Sequence, residues 1–147
     1  MTVTGTAVDR AQLAGRLRLV VTRLNRRLRQ EGESGLGAST HSALATIARR
    51  GPVSLGELAA LEGVKPPSIT TTVAALEGQG LVTREANPAD RRVTRVTATT
   101  RGRLRLLRSR TRKNAYLAAR LEALDERQLQ VLEEAAAILE RALEGDR

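Results

Sequence analysis

The sequence predicts a mainly α-helical fold with one small β-hairpin. Aliphatic residues recur every three or four positions through most of the chain, which is typical of helices that bury one face. Two short segments near the middle read as strands, and a stretch of turn-forming residues joins them. The chain has 147 residues, the length of about one domain.

Charge is concentrated in one part of the sequence. The chain carries 25 Lys and Arg against 16 Asp and Glu, a net charge of +9. Residues 84–113 alone hold 11 basic and 2 acidic side chains, whereas residues 1–83 carry +4 and residues 114–147 carry −4. This concentration favours a polyanionic partner, most often nucleic acid. The alternative is that the basic charge only keeps the protein soluble.

Composition excludes several kinds of functional site. The chain has no Cys, its one His is His41, and its one aromatic residue is Tyr116. A disulfide framework, an iron–sulfur cluster and a thiol sensor are therefore excluded, and a zinc site would have to rest on carboxylates. Modules that stack bases on aromatic rings are excluded because one ring cannot form such a platform. We expect no metal and no cofactor.

Neither catalysis nor a membrane partner is expected. The chain has no Ser/His/Asp or Cys/His set and no phosphate-binding loop with its Gly and Lys, so we do not predict an enzyme. No apolar run approaches the length of a membrane span. Residues 1–9 lack the hydrophobic region of a signal peptide, and we therefore expect a cytoplasmic protein.

The N-terminal part predicts a long helix and a loop. One helical stripe of aliphatic residues runs through Asp9–Arg29, and a loop with three glycines follows at Glu31–Ala38. Ser39 or Thr40 is expected to cap a second helix, which runs to about Arg50. Gly51 and Pro52 then end the helix.

A compact block of short elements comes next. Val53 and Ser54 are expected to form a short strand or an extended link. Ser54 then caps a short helix, Leu55–Leu61, with Glu57 completing a capping box. A fourth helix, Pro66–Gln79, opens with two prolines that suit a first turn. Its inward-facing residues are predicted to be Ile69, Val73 and Leu76.

The rest of the chain predicts the hairpin and two long helices. Strands are expected at Leu81–Glu85 and Arg92–Thr97, around a polar tip at Ala86–Asp90. Thr99 or Thr100 starts a long helix that extends to Leu124, and Asp125 caps the last helix. Both long helices and the first one carry continuous aliphatic stripes, which they can bury only against each other or a second copy.

The two short central helices predict a helix-turn-helix. The turn is Glu62–Val64, and a turn of this length with Gly lets two helices cross at a steep angle. The start of the second helix then enters the major groove of DNA. Four polar side chains can reach base edges, thymine methyls or phosphates there: Lys65, Ser68, Thr70 and Thr71. The alternative is that they are only caps and solvated surface.

The hairpin predicts a second contact with DNA. Its tip holds Asp90, Arg91 and Arg92, and Arg84 and Arg95 lie on its strands. An Arg at a loop tip can enter the narrow minor groove, where the negative potential favours it. Asp90 is expected to pair with Arg92 and to orient the loop. The alternative is a solvated turn with ordinary charges.

Residues 39–104 resemble the winged helix-turn-helix core of the MarR family of bacterial regulators. The combination that carries the resemblance is Leu76-Glu77 with Gly80-Leu81-Val82 and Arg84, then Asp90-Arg91-Arg92 and Thr99-Thr100-Arg101-Gly102. The outer helices resemble the family's dimerisation domain. The expected division is therefore 1–38 (dimerisation helix and loop), 39–100 (DNA-binding core) and 101–147 (dimerisation helices).

The resemblance implies a homodimeric repressor on a pseudo-palindromic operator of double-stranded DNA. It implies that Pro67, Ser68, Thr70 and their neighbour Thr71 lie in the major groove, that Arg92 lies in the minor groove, and that Asp90 steadies the hairpin. Family members often carry a basic or large polar residue where Thr71 stands, so fewer strong guanine contacts are expected from this helix and more of the recognition from Lys65 and DNA shape. The alternative function is non-specific, architectural DNA binding.

The resemblance also implies release by a small aromatic or phenolic effector. In this family such ligands bind between the dimerisation helices and the winged core. His41 and Tyr116 are the candidate ligand-binding residues. The alternatives are that His41 is a plain surface or capping residue and that Tyr116 packs in a core or an interface. Activation instead of repression also stays open, because it depends on where the operator lies.

Overall fold

The helices and strands of the computed structural model follow the order that the sequence predicts, and the predicted fold class is confirmed. The structure describes residues 8–32 and 35–144. Within these residues lie six α-helices and three short strands. They are α1 (Arg10–Glu31), α2 (Ala38–Arg50), β1 (Val53–Ser54), α3 (Leu55–Glu62), α4 (Pro66–Gly78), β2 (Val82–Ala86), β3 (Thr94–Ala98), α5 (Thr100–Leu121) and α6 (Glu126–Leu143).

Side-chain caps fix where several helices begin. Ser54 accepts a hydrogen bond from the Glu57 amide at 3.1 Å, and the Glu57 carboxylate accepts from the Ser54 amide at 2.7 Å. The capping box predicted for α3 is thus confirmed. Asp9, Thr99 and Asp125 cap α1, α5 and α6 in the same way, each accepting from backbone amides of the first turn.

Some predicted boundaries are wrong by a few residues. The cap of α2 is Gly37, in extended conformation and without a side-chain bond, and neither Ser39 nor Thr40 caps it. The helix therefore starts directly from a glycine backbone. The long helix α5 ends at Leu121, three residues before the predicted Leu124. The second hairpin strand begins at Thr94 and not at Arg92, because hydrogen bonds hold the tip in a turn up to Val93.

The strands form one small antiparallel sheet in the order β1-β3-β2. The central strand β3 places Val96 opposite Val53 of β1 and opposite Arg84 of β2. The extended link at Val53–Ser54 is thus a true edge strand. It ties the start of the helix-turn-helix to the hairpin, so the two candidate DNA-contacting parts belong to one rigid unit.

The hydrophobic core lies within the central block of the chain. Buried apolar side chains of the described residues all fall between positions 36 and 98: Leu36, Ala43, Leu44, Ile47, Val53, Leu58, Ala59, Ile69, Val73, Leu76, Leu81, Val82, Val96 and Ala98. By contrast, α1 and α6 bury no residue at all. Val20 is 52% exposed and Leu143 is 67% exposed. The aliphatic stripes of the outer helices are therefore uncovered in the single chain.

A close backbone contact joins α5 to this core. Thr99 donates its backbone N–H to Leu81 O at 3.0 Å and its hydroxyl to Gly80 O at 2.7 Å. Gly102, one turn into α5, is buried against the carbonyl of Leu81. A Cβ at Gly102 would collide with that carbonyl and touch Leu44. Gly102 is needed here because the helix lies directly on another backbone segment.

Replacing Gly102 by Ala is expected to lower the free energy of unfolding by about 1–3 kcal/mol, because a methyl group must be forced into filled space. The matched control is Gly78→Ala at the end of α4, where an added Cβ meets no atom within 4 Å. That control is expected to leave stability unchanged or to raise it slightly. Urea unfolding of the three proteins measures both effects, and equal midpoints for the two variants would contradict the assignment.

Candidate nucleic-acid interface

The helix-turn-helix consists of α3 and α4. Gly63 ends α3 in the left-handed conformation at φ 64°, and Val64 donates to Ala59 O at 3.0 Å. Pro66 and Pro67 then form the first turn of α4 after Lys65, which takes the cap position. The sequence-predicted turn and helix are therefore both present in the structure.

The packing of α4 fixes which of its residues face outward. Ile69, Val73 and Leu76 are buried, as the sequence predicts. Thr72 is partly buried and the other residues of α4 are exposed. The candidates on α4 and at its cap are all among the exposed residues: Lys65, Pro67, Ser68, Thr70 and Thr71. Because the core side is closed by aliphatic side chains, the exposed side of α4 is free to approach a partner.

The threonine hydroxyls of α4 are engaged within the helix. Thr70 donates to Pro66 O at 3.0 Å, Thr71 to Pro67 O at 3.2 Å, and Thr72 to Ser68 O at 3.0 Å. Two of these acceptors are proline carbonyls of the first turn. The hydroxyl protons are therefore used within the helix. The methyl group of each threonine is left for contact with a partner.

The wing, here residues 82–98, ends in a tip that hydrogen bonds hold together. Asn87 donates its amide to Val93 O at 2.8 Å, and Val93 donates to Asp90 O at 3.0 Å. The Asp90 carboxylate accepts from the backbone N–H of Arg92 at 3.0 Å. The expected bond between Asp90 and Arg92 is thus made through the main chain and not through the guanidinium. Arg91 and Arg92 are both exposed at this tip.

Arg84 has a partner inside the protein. Its Nε lies 3.0 Å from Oε2 of Glu77, and its side chain is 26% exposed. Arg84 is expected from the sequence to contact DNA; in the structure its guanidinium forms an ion pair that links β2 of the wing to α4. This pair holds together the two elements that carry the remaining candidates.

The basic run of α5 is only partly available to a partner. Arg103 donates from Nη1 to Ala48 O at 3.0 Å, near the C-terminal end of α2. A cation there complements the helix dipole. Arg101 and Arg108 are exposed and lie beside a groove at the start of α5. The positive charge of this segment therefore serves both the fold and the surface next to the wing.

His41 lines a cavity between α1, α2 and α5. The cavity has a volume of about 220 Å³. Its lining residues are Arg26, Arg29, Gln30, Gly32, Leu36, Ala38, His41, Ser109 and Lys113. Ser109 is buried and donates its hydroxyl to Gly32 O at 2.8 Å, which fixes one wall. The pKa of His41 is lowered from 6.5 by partial burial and secondarily by the charge of Lys113.

Three cations beside this cavity were missed by the sequence analysis: Arg26, Arg29 and Lys113. The signal for the first two was present, since they are spaced as one face of α1 away from its aliphatic stripe. The contribution of Lys113 depends on the packing of α5 against α1 and could not be read from spacing.

Tyr116 is not among the residues that line the cavity. Arg27 of α1 donates from Nε to the Tyr116 hydroxyl at 3.3 Å. The guanidinium carbon of Arg120 lies 5.1 Å from the centre of its ring. Tyr116 thus joins α1 to α5 by side-chain contacts on the surface.

Comparison with known proteins identifies the family. The model of the MarR family matches residues 36–94. An HTH-type transcriptional regulator of Mycobacterium bovis is 36% identical over 130 residues, which cover 88% of this chain and 91% of the relative. This chain belongs to the MarR family. It is a DNA-binding transcriptional regulator and not an enzyme.

Two solved structures show the same fold as this MarR regulator. A crystallised Pseudomonas aeruginosa protein assigned to transcriptional regulation is 34% identical, with a TM-score of 0.80, and the match covers 90% of this chain and 94% of that one. FabT of Streptococcus pneumoniae, crystallised in complex with DNA, is 19% identical, with a TM-score of 0.66 and coverage of 95% and 100%. No helix within the described parts of the chain is long and apolar enough to cross a membrane.

The lowered pKa of His41 predicts a pH dependence of stability. Because the folded protein binds the proton less readily than the unfolded chain, protonation favours unfolding. The contribution of His41 is expected to be present above about pH 6.5 and to be lost as the pH falls through the folded pKa. Urea unfolding of the native protein and of His41→Gln across this range measures the effect. Parallel pH profiles for the two proteins would contradict it.

Proposed function

We propose that this MarR regulator is a homodimeric repressor that binds a pseudo-palindromic operator through α4 and the wing. The observation that carries the proposal is the exposed face of α4 beside a braced wing tip with two exposed arginines, Arg91 and Arg92. Lys65, Pro67, Ser68, Thr70 and Thr71 supply the major-groove surface, and Arg92 supplies the minor-groove contact. FabT, a protein of the same fold, was crystallised in complex with DNA, which supports DNA as the partner.

The proposed dimer is supported by the uncovered outer helices. Stripes of partly exposed aliphatic residues run along α1 and α6, and neither helix buries a residue in the single chain. Water-exposed stripes of this extent are typical of an interface, because monomers rarely expose large apolar patches. A second copy related by a two-fold axis covers them and presents two copies of α4 to successive turns of DNA.

The mass in solution tests the dimer. The native protein is expected at twice the chain mass of 15.9 kDa by analytical ultracentrifugation. Leu132→Glu on the stripe of α6 is expected to shift it towards the monomer, because a carboxylate would be buried in the interface. Gln130→Glu, which adds the same charge off the stripe, serves as the control. A native monomer at micromolar concentration, or equal effects of both variants, would refute the interface.

Operator binding tests the wing. Arg92→Ala is expected to weaken binding to the selected operator by about 1–3 kcal/mol, since it removes a groove contact. Arg18→Ala removes the same charge from an exposed site on α1, and its affinity is expected to stay close to native. Fluorescence anisotropy at about 150 mM salt gives both values. If Arg92→Ala binds as tightly as Arg18→Ala, the wing assignment is wrong.

Competition with random DNA separates this function from architectural binding. A repressor is expected to prefer its operator by roughly 10³ or more over random sequence. An architectural protein would show no selected motif, and its affinity would collapse as salt rises. The site-specific reading is favoured because the wing tip is held in one conformation by its own hydrogen bonds.

We further propose that a small aromatic anion binds the cavity beside His41 and weakens operator binding. A cavity of about 150 Å³ admits benzene, so the 220 Å³ here accommodates a single substituted ring. The side chains of Arg26, Arg29 and Lys113 favour a negative charge on the ligand, and Leu36 offers apolar contact. Tyr116, the other candidate ligand-binding residue, lies against Arg27 outside this cavity.

Titration of the protein–operator complex with a monohydroxybenzoate tests the effector site. The native complex is expected to dissociate, and Lys113→Ala is expected to lose this response while it binds the operator normally without ligand. Asn114→Ala, at the neighbouring exposed position, is the control. Equal release of the operator from all three proteins would place the ligand elsewhere. No release of the operator from the native protein would contradict the proposed effector site.

A further inference from the structure

We infer that α4 reads thymine methyl groups, so that the operator carries A·T pairs at the positions that face this helix. The inference rests on the proposed function, because it assumes that α4 lies in the major groove. It concerns the class of base that the helix selects, which is decided by the chemistry of its exposed side.

The exposed side of α4 lacks the groups that bind guanine or adenine edges. Guanine is selected by Arg or Lys and adenine by Asn or Gln, in each case through paired hydrogen bonds. Between Pro66 and Gly78 the helix contains none of these four residue types. Its one charged residue, Glu77, is engaged by Arg84. Direct hydrogen-bond readout along this stretch is therefore confined to Ser and Thr hydroxyls.

The hydroxyl groups of the threonines are themselves committed. Those of Thr70 and Thr71 donate to carbonyls of the preceding turn at 3.0 and 3.2 Å. Each side chain therefore offers a partner its methyl group and the lone pairs of its oxygen, but no free donor. Both residues are exposed, and they lie on the side of α4 opposite or lateral to the buried residues.

The neighbouring exposed residues extend the same apolar surface. Pro67, Ala74 and Ala75 are exposed, and helical spacing places them around Thr71. Around Thr71, the side of α4 that faces away from the core thus carries mainly methyl and methylene groups, with the Ser68 hydroxyl beside them. In the major groove, the matching apolar feature is the C5-methyl group of thymine, which apolar side chains and Thr methyls contact. Lys65, at the start of the helix, remains for a phosphate or a flanking base.

Replacing thymine by deoxyuridine tests the inference, because uracil lacks only the methyl group. Operators are first selected from a random library with the native protein. Each thymine of a half-site is then replaced singly. At the positions that face α4, affinity is expected to fall about fourfold per methyl removed. This change corresponds to the free energy of burying one methyl-sized group. The salt dependence is expected to stay unchanged, because no phosphate contact is lost.

Two variants connect the effect to Thr71. Thr71→Ser keeps the hydroxyl and removes the methyl. This variant is expected to bind operators with thymine and with uracil equally well at the one position that Thr71 contacts. Thr71→Val keeps the methyl group, replaces the hydroxyl by a second methyl, and is expected to retain the preference for thymine. Thr22→Ser, at an exposed site on α1 whose hydroxyl also donates to the preceding turn, is the control and is expected to behave as native.

The outcomes separate this inference from the proposed function. An operator that is bound selectively but tolerates uracil at every position overturns the thymine readout and leaves the proposed function intact. Selection of G·C pairs opposite α4 does the same. A protein that selects no sequence overturns both.

Discussion

The junction between the core and α5 is the contact on which the arrangement of the molecule depends. Leu81 is fully buried, and its carbonyl accepts from Thr99 while Gly102 lies against it. The Thr99 hydroxyl also joins Gly80 to the first turn of α5, since it donates to Gly80 O and accepts from Gly102. The direction of α5 relative to the wing is therefore set by backbone atoms, which move less readily than long side chains. Since α1 packs against α5, the same contact relates the uncovered helix α1 to the core and to α4.

The arginines of the chain fall into two groups: some join one element to another, and others stay exposed. Arg84, Arg103 and Arg27 each contact a group of another element, respectively a carboxylate, a helix carbonyl and a phenol. Arg91 and Arg92 remain exposed because the wing tip is closed by backbone hydrogen bonds and by Asp90. The cavity beside His41 lies where the outer helix α1 meets α2 and α5. A ligand there would act on the geometry of that connection, which gives the proposed effector a physical route to α4.

Much of the fold could be predicted from the sequence because local signals are strong. The pairing of Ser54 with Glu57, the two prolines after Lys65 and the glycine at position 63 each determine a boundary within a few residues. The start of α2 was missed because Gly37 gives no side-chain signal. The first residue of β3 was missed because the turn is closed by Asn87 and Val93, a contact between separate positions.

The partner of Arg84 and the cations around His41 were missed for a similar reason, since they come together only through packing.

The paired prolines of α4 affect how this helix can hold the DNA backbone. A helix N-terminus ordinarily offers several free backbone N–H groups, which form an anion site for a phosphate. Pro66 and Pro67 have no N–H, and the next two amides, of Ser68 and Ile69, both point back to Lys65 O at 3.0 and 3.3 Å. The start of α4 therefore has little capacity to clamp a phosphate with its main chain. In the proposed complex, anchoring of the DNA strands would therefore fall to side-chain cations, and the depth of α4 in the groove would be set by shape and not by an amide clamp.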